Sequence, residues 1–295
     1  MHVAILGAGT MGHGIAQVSA MAGHDVTLRD IEADIVDDGL TAIESNLKEG
    51  IAREKVTEST AEATLDRLTG TTSLEAAVTG ADLVVEAVPE DMEIKHETLT
   101  AVESHVDPAT LIASNTSSLS LTEIASVLDY PDRAIGLHFF NPVHIMALVE
   151  IVVAEQTSAE TIARAREFVN GIDKTPVEVA DAPGFASSRL GVSLGVEAMR
   201  MVQEGVATPQ DIDTAMELGY NHPMGPIELG DVVGLDVRLD ILEYLRDELG
   251  ERFRPPQILK RKVRAGKLGK KSGEGFYVWE DGDAVGVSED FDRTP

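Results

Sequence analysis

His2-Val3-Ala4-Ile5-Leu6-Gly7-Ala8-Gly9-Thr10-Met11-Gly12 decides the fold. The first five residues read as a buried strand. The glycines fit G-x-G-x-x-G, and residues 10–21 continue as a helix. That glycine spacing is weak by itself. Placed after an apolar strand and at the opening of a helix, it has the context of a dinucleotide-binding turn. Gly7 allows the tight turn, Gly9 lets the backbone approach a pyrophosphate, and Gly12 lets helix and strand pack closely. Ala8, Thr10 and Met11 complete the turn, whose helix N-terminus offers unpaired N–H groups to an anion.

Asp30 closes a second strand (residues 26–29), 18 residues after Gly12. A carboxylate there accepts both ribose hydroxyls and repels a 2′-phosphate, which favours NAD over NADP. The neighbouring Arg29 is able to accommodate a phosphate and argues the other way. The alternative role for Asp30 is to cap the following helix.

Outward from this turn, short apolar runs at 81–88, 110–114, 133–139, 147–153 and 174–179 alternate with helical patterns. Alternation of this kind predicts a Rossmann-type, doubly wound parallel sheet. Residues 31–68 are polar and helix-prone, with Gly50 near their middle, and predict a helical hairpin insertion. Asp181-Ala182-Pro183-Gly184 breaks the alternation, and beyond it amphipathic helices predominate. We expect a cofactor domain over residues 1–181 and an all-α domain over 182–280. The acidic tail, 281–295, is weakly patterned and expected to fray.

The chain of 295 residues carries 24 basic and 51 acidic side chains, a formal charge of −27. Such a charge opposes nucleic-acid binding. With 9 lysines against 15 arginines, the acidic, lysine-poor composition suits a salt-rich cytoplasm, where screening weakens self-repulsion. The absence of cysteine excludes disulfides, zinc-thiolate sites and thiol catalysis, and no H-E-x-x-H metal spacing occurs. No apolar run approaches a membrane span, and the N-terminus reads as a strand rather than a signal peptide.

In an open α/β sheet, ligands bind beyond the carboxyl ends of the strands. Gly7 to Gly12, Asp30, Glu90, the Asn115-Thr116-Ser117-Ser118 run and residues 138–141 all fall on that rim. Glu150 lies inside the apolar run 147–153, where a carboxylate needs a partner. A histidine on a neighbouring strand would make it the orienting member of a general-base pair. A structural ion pair is the alternative, and the pattern alone does not choose between His138 and His144. Ser117 reads either as a substrate hydrogen bonder or as a helix cap. Asn141 reads either as a nicotinamide contact or as a turn residue before Pro142.

Taken together, Gly-Ala-Gly-Thr-Met-Gly (7–12), VVEAVPED (84–91), SNTSSL (114–119), HFFNPV (138–143) with LVEIV (148–152), DAPGF (181–185) and GEGFY (273–277) resemble the L-3-hydroxyacyl-CoA dehydrogenase family. The resemblance runs from His2 to about Tyr277. It implies a Rossmann domain, a helical dimerisation domain, and NAD-dependent oxidation of (S)-3-hydroxyacyl-CoA to 3-ketoacyl-CoA by a homodimer. By position, it makes His138 the base and Glu150 its partner, and it orients substrate and nicotinamide with Ser117 and Asn141. It places Asp30 at the adenosine ribose, Glu90 and Lys95 along the cofactor groove, and Lys271 near the cofactor. Asn46 and Arg53 would meet the coenzyme A phosphates, in a basic cluster with Lys48 and Lys55. Ser188 stands where the family often has an asparagine near the thioester.

The rival readings are a dehydrogenase of free hydroxy or sugar acids and a non-catalytic NAD-binding protein of the same fold. A 3-hydroxyisobutyrate-type enzyme would need a lysine in the first long helix of the second domain, and residues 187–204 contain none.

Overall fold

The structure, a computed structural model, describes residues Met1–Phe291. Two compact units divide the chain between Phe185 and Ala186.

In the first unit, β1 (His2–Leu6) lies in an eight-stranded sheet of order β3-β2-β1-β4-β5-β6-β7-β8. The other strands are β2 (Asp25–Arg29), β3 (Leu68–Thr71), β4 (Leu83–Glu86), β5 (Leu111–Ser114), β6 (Ala134–Phe139), β7 (Leu148–Val153) and β8 (Thr175–Ala180). Alternate residues of β1 feed two cores, Val3 and Ile5 on one face and Ala4 and Leu6 on the other. Burial on both faces explains the unbroken apolar run. Helices α1 (Thr10–Met21) and α7 (Ala159–Gly171) contribute to the first core, α5 (Met92–Glu103) and α6 (Leu121–Ala125) to the second. The short α4 (Leu74–Val78) precedes β4.

The predicted helical hairpin is α2 (Ala33–Ala52) and α3 (Glu58–Leu65). Its turn follows Arg53, not Gly50, which stays within α2. The helical stretch ends before Leu68, which opens β3. The sheet is also not wholly parallel. β7 runs antiparallel to β6 and parallel to β8. The connection from β6 to β7 is too short for a crossover helix, so the chain must turn back on itself.

The second unit packs α8 (Ser187–Gln203), α9 (Pro209–Tyr220), α10 (Pro226–Val233), α11 (Leu235–Leu249) and α12 (Gln257–Arg264) around Val196, Met199, Ile227, Leu235, Leu242 and Phe276. Two buried carboxylates organise it. Asp213 accepts the Ile227 and Glu228 amides at the start of α10, each 2.8 Å, and the Tyr277 hydroxyl at 2.7 Å. Asp231 accepts the Phe276 and Tyr277 amides and the Trp279 indole N–H.

The fraying expected of the tail does not hold over its described part. β9 (Tyr277–Glu280) and β10 (Asp283–Val287) form an antiparallel hairpin. Beyond it, Asp290 pairs with Lys267 at 2.8 Å and Lys262 at 3.2 Å. Residues 292–295 lie outside the described residues.

Candidate active site

The glycine turn starts with Gly7, whose φ of +99° suits glycine alone. Its amide donates to the Arg29 carbonyl at 2.8 Å. A side chain at Gly12 would strike the Gly7 carbonyl, so helix and strand pack through bare backbone. Gly9 differs: a Cβ there meets nothing within 4 Å. Gly9 also caps α1 without any side-chain hydrogen bond to the first turn. Open space in front of uncapped amides fits a pyrophosphate.

Asp30 joins this turn directly. Its Oδ2 accepts the Ala8 amide at 2.8 Å and its Oδ1 the Ile31 amide at 2.7 Å. It does not cap α2, whose N-cap is Glu32. The carboxylate is therefore fixed beside the phosphate turn, where an adenosine ribose would lie. Arg29 donates its Nε to the Thr72 carbonyl.

The ends of β4 and β5 carry a second cluster. Lys95 is 1% exposed and lies between Glu86 and Glu90, at 2.8 and 3.2 Å. Its ammonium is thus buried beneath the rim, not displayed on it. Glu86 is fully buried and also accepts the Val88 amide and the Ser114 hydroxyl. Glu90 accepts the Thr116 hydroxyl at 2.7 Å, the Ser117 amide at 2.9 Å and the Ser117 hydroxyl at 3.3 Å. Burial would raise the Glu90 pKa, but the Lys95 charge and the Thr116 and Ser117 donors outweigh it and hold it below the usual carboxylate range. Ser117 is therefore held by Glu90; the cap of α6 is Ser120.

His138 and Glu150 face each other across β6 and β7 as direct register partners. His138 Nδ1 lies 2.8 Å from Glu150 Oε2, with the residues 6% and 1% exposed. The rings of Phe140 and Phe185 tilt against the imidazole, with centroids 4.5 and 5.7 Å away. With Nδ1 engaged by a carboxylate, Nε2 is the nitrogen left to exchange a proton with a substrate. His144 takes no part in the pair. It lines a cleft of about 280 Å³ with Thr10, His13, Asn46, Glu49 and Asn141.

Within that cleft, Asn46 donates to Gln17 at 3.1 Å. The basic residues predicted beside it are partly neutralised, since Arg53 pairs with Glu49 and Lys48 with Glu44. Ser188, in the first turn of α8, and Lys271, paired with Asp236 at 2.6 Å, belong to the second unit. Sequence reasoning missed Glu86. Its signal was a lone carboxylate inside the apolar run 83–86, the same signal that singled out Glu150.

The model of the 3-hydroxyacyl-CoA dehydrogenase NAD-binding domain matches residues 2–182, and that of the same family's C-terminal domain matches 184–279. The chain belongs to the 3-hydroxyacyl-CoA dehydrogenase family. It is 43% identical over 280 residues to a probable 3-hydroxybutyryl-CoA dehydrogenase of Bacillus subtilis, covering 95% of this chain and 97% of the relative. It is 42% identical over 287 residues to the mitochondrial hydroxyacyl-coenzyme A dehydrogenase of Rattus norvegicus, covering 95% and 91%. The solved structure of (S)-3-hydroxybutyryl-CoA dehydrogenase from Ralstonia eutropha superposes with a TM-score of 0.91 at 40% identity, covering 95% and 99%. Like its family, the chain is an NAD-dependent oxidoreductase. The glycine turn and Asp30 are the residues that fit the cofactor.

Proposed function

We propose that this chain catalyses the reversible NAD-dependent oxidation of (S)-3-hydroxyacyl-CoA to 3-ketoacyl-CoA in fatty-acid or butanoate metabolism, with 3-hydroxybutyryl-CoA as its short-chain substrate. The observation that carries this reading is the buried His138–Glu150 pair at 2.8 Å, at the sheet edge that also holds the glycine turn.

A secondary alcohol loses a proton from oxygen and a hydride from carbon when it is oxidised. Bound NAD supplies the hydride acceptor. His138 handles the proton: Glu150 holds Nδ1–H, so the Nε2 lone pair accepts the 3-hydroxyl proton. The Glu150 carboxylate then stabilises the imidazolium, as the aspartate of a serine-protease triad does. In the reductive direction, Nε2–H returns the proton to the 3-keto oxygen. Phe140 and Phe185 exclude water and strengthen the pair. The Ser117 hydroxyl, held by Glu90, and the Asn141 carboxamide orient the thioester and the nicotinamide. Glu90 and Lys95 support the groove, and Asp30 takes the ribose.

The finer assignments rest on this reading. Residues 1–181 serve as the cofactor domain and 182–280 as the dimerisation and substrate domain. Asn46 and Arg53 meet coenzyme A, Ser188 lies near the thioester, and Lys271 approaches the cofactor. Exposed Leu190, Leu218 and Tyr220 on α8 and α9 support a homodimer, because such apolar side chains need cover. The acidic composition supports residence in a salt-rich cytoplasm. No helix among the described residues is long and apolar enough to cross a membrane.

The test is NADH oxidation in molar KCl with acetoacetyl-CoA against free acetoacetate. Turnover of the thioester, with little of the free acid, is expected. A protein that binds NADH but turns over only the free acid, or neither, contradicts the reading.

A further inference from the structure

The turn between the two strands of the catalytic pair has an anchor that the chemistry above does not use. Lys174, just before β8, sends its ammonium to the carbonyls of Val143 and Met146, both at 2.7 Å. The Pro142 carbonyl accepts the Ile145 and Met146 amides, each at 3.0 Å, and the Thr175 amide donates to Ala147 at 2.7 Å. On its other side the turn is keyed to the nucleotide helix. Val143, 2% exposed, packs so closely on Gly14 of α1 that a Cβ there would lie 2.8 Å from its side chain. Residues 141–145 form one wall of the cleft whose other walls are Thr10, His13 and Gly14 of α1 and Asn46 and Glu49 of α2. The ammonium is thus the buttress behind one wall.

We infer that Lys174 is a positioning residue that fixes the Val143–Met146 turn as the substrate-side wall of this cleft. The inference rests on the acyl-CoA reading of the site. The sheet itself does not need the ammonium, because the antiparallel pairing of β6 and β7 sets His138 opposite Glu150 and β8 pairs along six residues of β7 on its other side. What the ammonium does hold is two carbonyls in a turn without regular secondary structure, which water would otherwise solvate. The charged and titratable groups that act on it are Asp173 beside it and His144 on the turn, and His144 in turn feels Glu49 on α2 and His13 on α1. Burial, followed by the Lys174 and His13 charges, keeps His144 below the usual imidazole range against the pull of Glu49. His144 therefore presents a neutral edge to the cleft at neutral pH.

Lys174→Met keeps most of the length of the unbranched side chain and removes the donors. The turn then loosens while the catalytic pair stays in place. The expected result is a rise of about tenfold in KM for acetoacetyl-CoA, with kcat within about threefold and NADH affinity within about twofold of wild type. Lys174→Arg, which keeps a cation and donors, restores most of the loss. An unchanged KM in Lys174→Met overturns the inference. So does a joint fall of kcat and NADH affinity, or a failure of the arginine to restore KM. If the wild type does not turn over acetoacetyl-CoA, the functional reading fails separately. The anchor is then read from amide exchange at Ile145 and Met146, which must quicken in Lys174→Met; unchanged exchange overturns it.

Discussion

A carboxylate buried inside an apolar strand is expensive, and β4 and β7 each hold one. Glu150 meets its cost through His138, and Glu86 through Lys95, Ser114 and the Val88 amide. Both were visible as charges in apolar runs. Only Glu150 was legible as chemistry, because histidines lay nearby in sequence, while the partners of Glu86 come from α5 and β5. The choice of His138 over His144 was not legible in the pattern. It depends on hairpin register, which pairs residue 138 with 150 and leaves His144 on the connecting turn, in the cleft lined by Asn46 and Asn141. Glu90 carries a prediction at this scale. Its pKa lies below the usual range, so its contribution to stability is present above the unfolded carboxylate value, about 4.3, and is lost only as pH falls through the lower folded value. A carbon-13 titration of its side-chain carboxyl should give a midpoint below that of an ordinary glutamate. A midpoint at or above it contradicts the network with Lys95, Thr116 and Ser117.

At the scale of elements, the strands buried on both faces were easiest to read, because β1, β4, β5, β6 and β7 are nearly unbroken apolar runs. β3 escaped because Leu68-Thr69-Gly70-Thr71 has one apolar residue and sits at the sheet edge, where half its demand for burial is gone. The reversal at β7 escaped because apolar content says nothing of strand direction. The loop length did: eight residues separate Phe139 from Leu148, too few for a crossover helix. The terminal hairpin had a signal that composition hid. Asp281-Gly282 supplies two consecutive positive-φ residues between short alternating strands, the pattern of a tight hairpin turn. Its acidic surroundings resemble a frayed tail until Lys262 and Lys267 are found opposite Asp290.

For the whole molecule, the formal charge of −27 is the dominant long-range term. Several ion pairs are solvent-exposed, as at Arg53–Glu49 and Lys48–Glu44, and pairs of that kind add little stability. Local pairing therefore leaves most of the repulsion to the solvent. Raising KCl from about 0.1 to 1 M shortens the screening length from about 10 to 3 Å. The midpoint of thermal unfolding should rise over that range. A midpoint that is flat or falls with KCl contradicts the salt-adapted reading and leaves the catalytic one untouched.

In this mechanism His138 exchanges the substrate proton. That role is tested most directly by NADH oxidation with acetoacetyl-CoA, comparing wild type with His138→Gln under the same salt. His138→Gln should lose about 100-fold or more in kcat, with NADH affinity unchanged. A variant that keeps wild-type turnover would contradict that role, and the buried pair with Glu150 would then be structural.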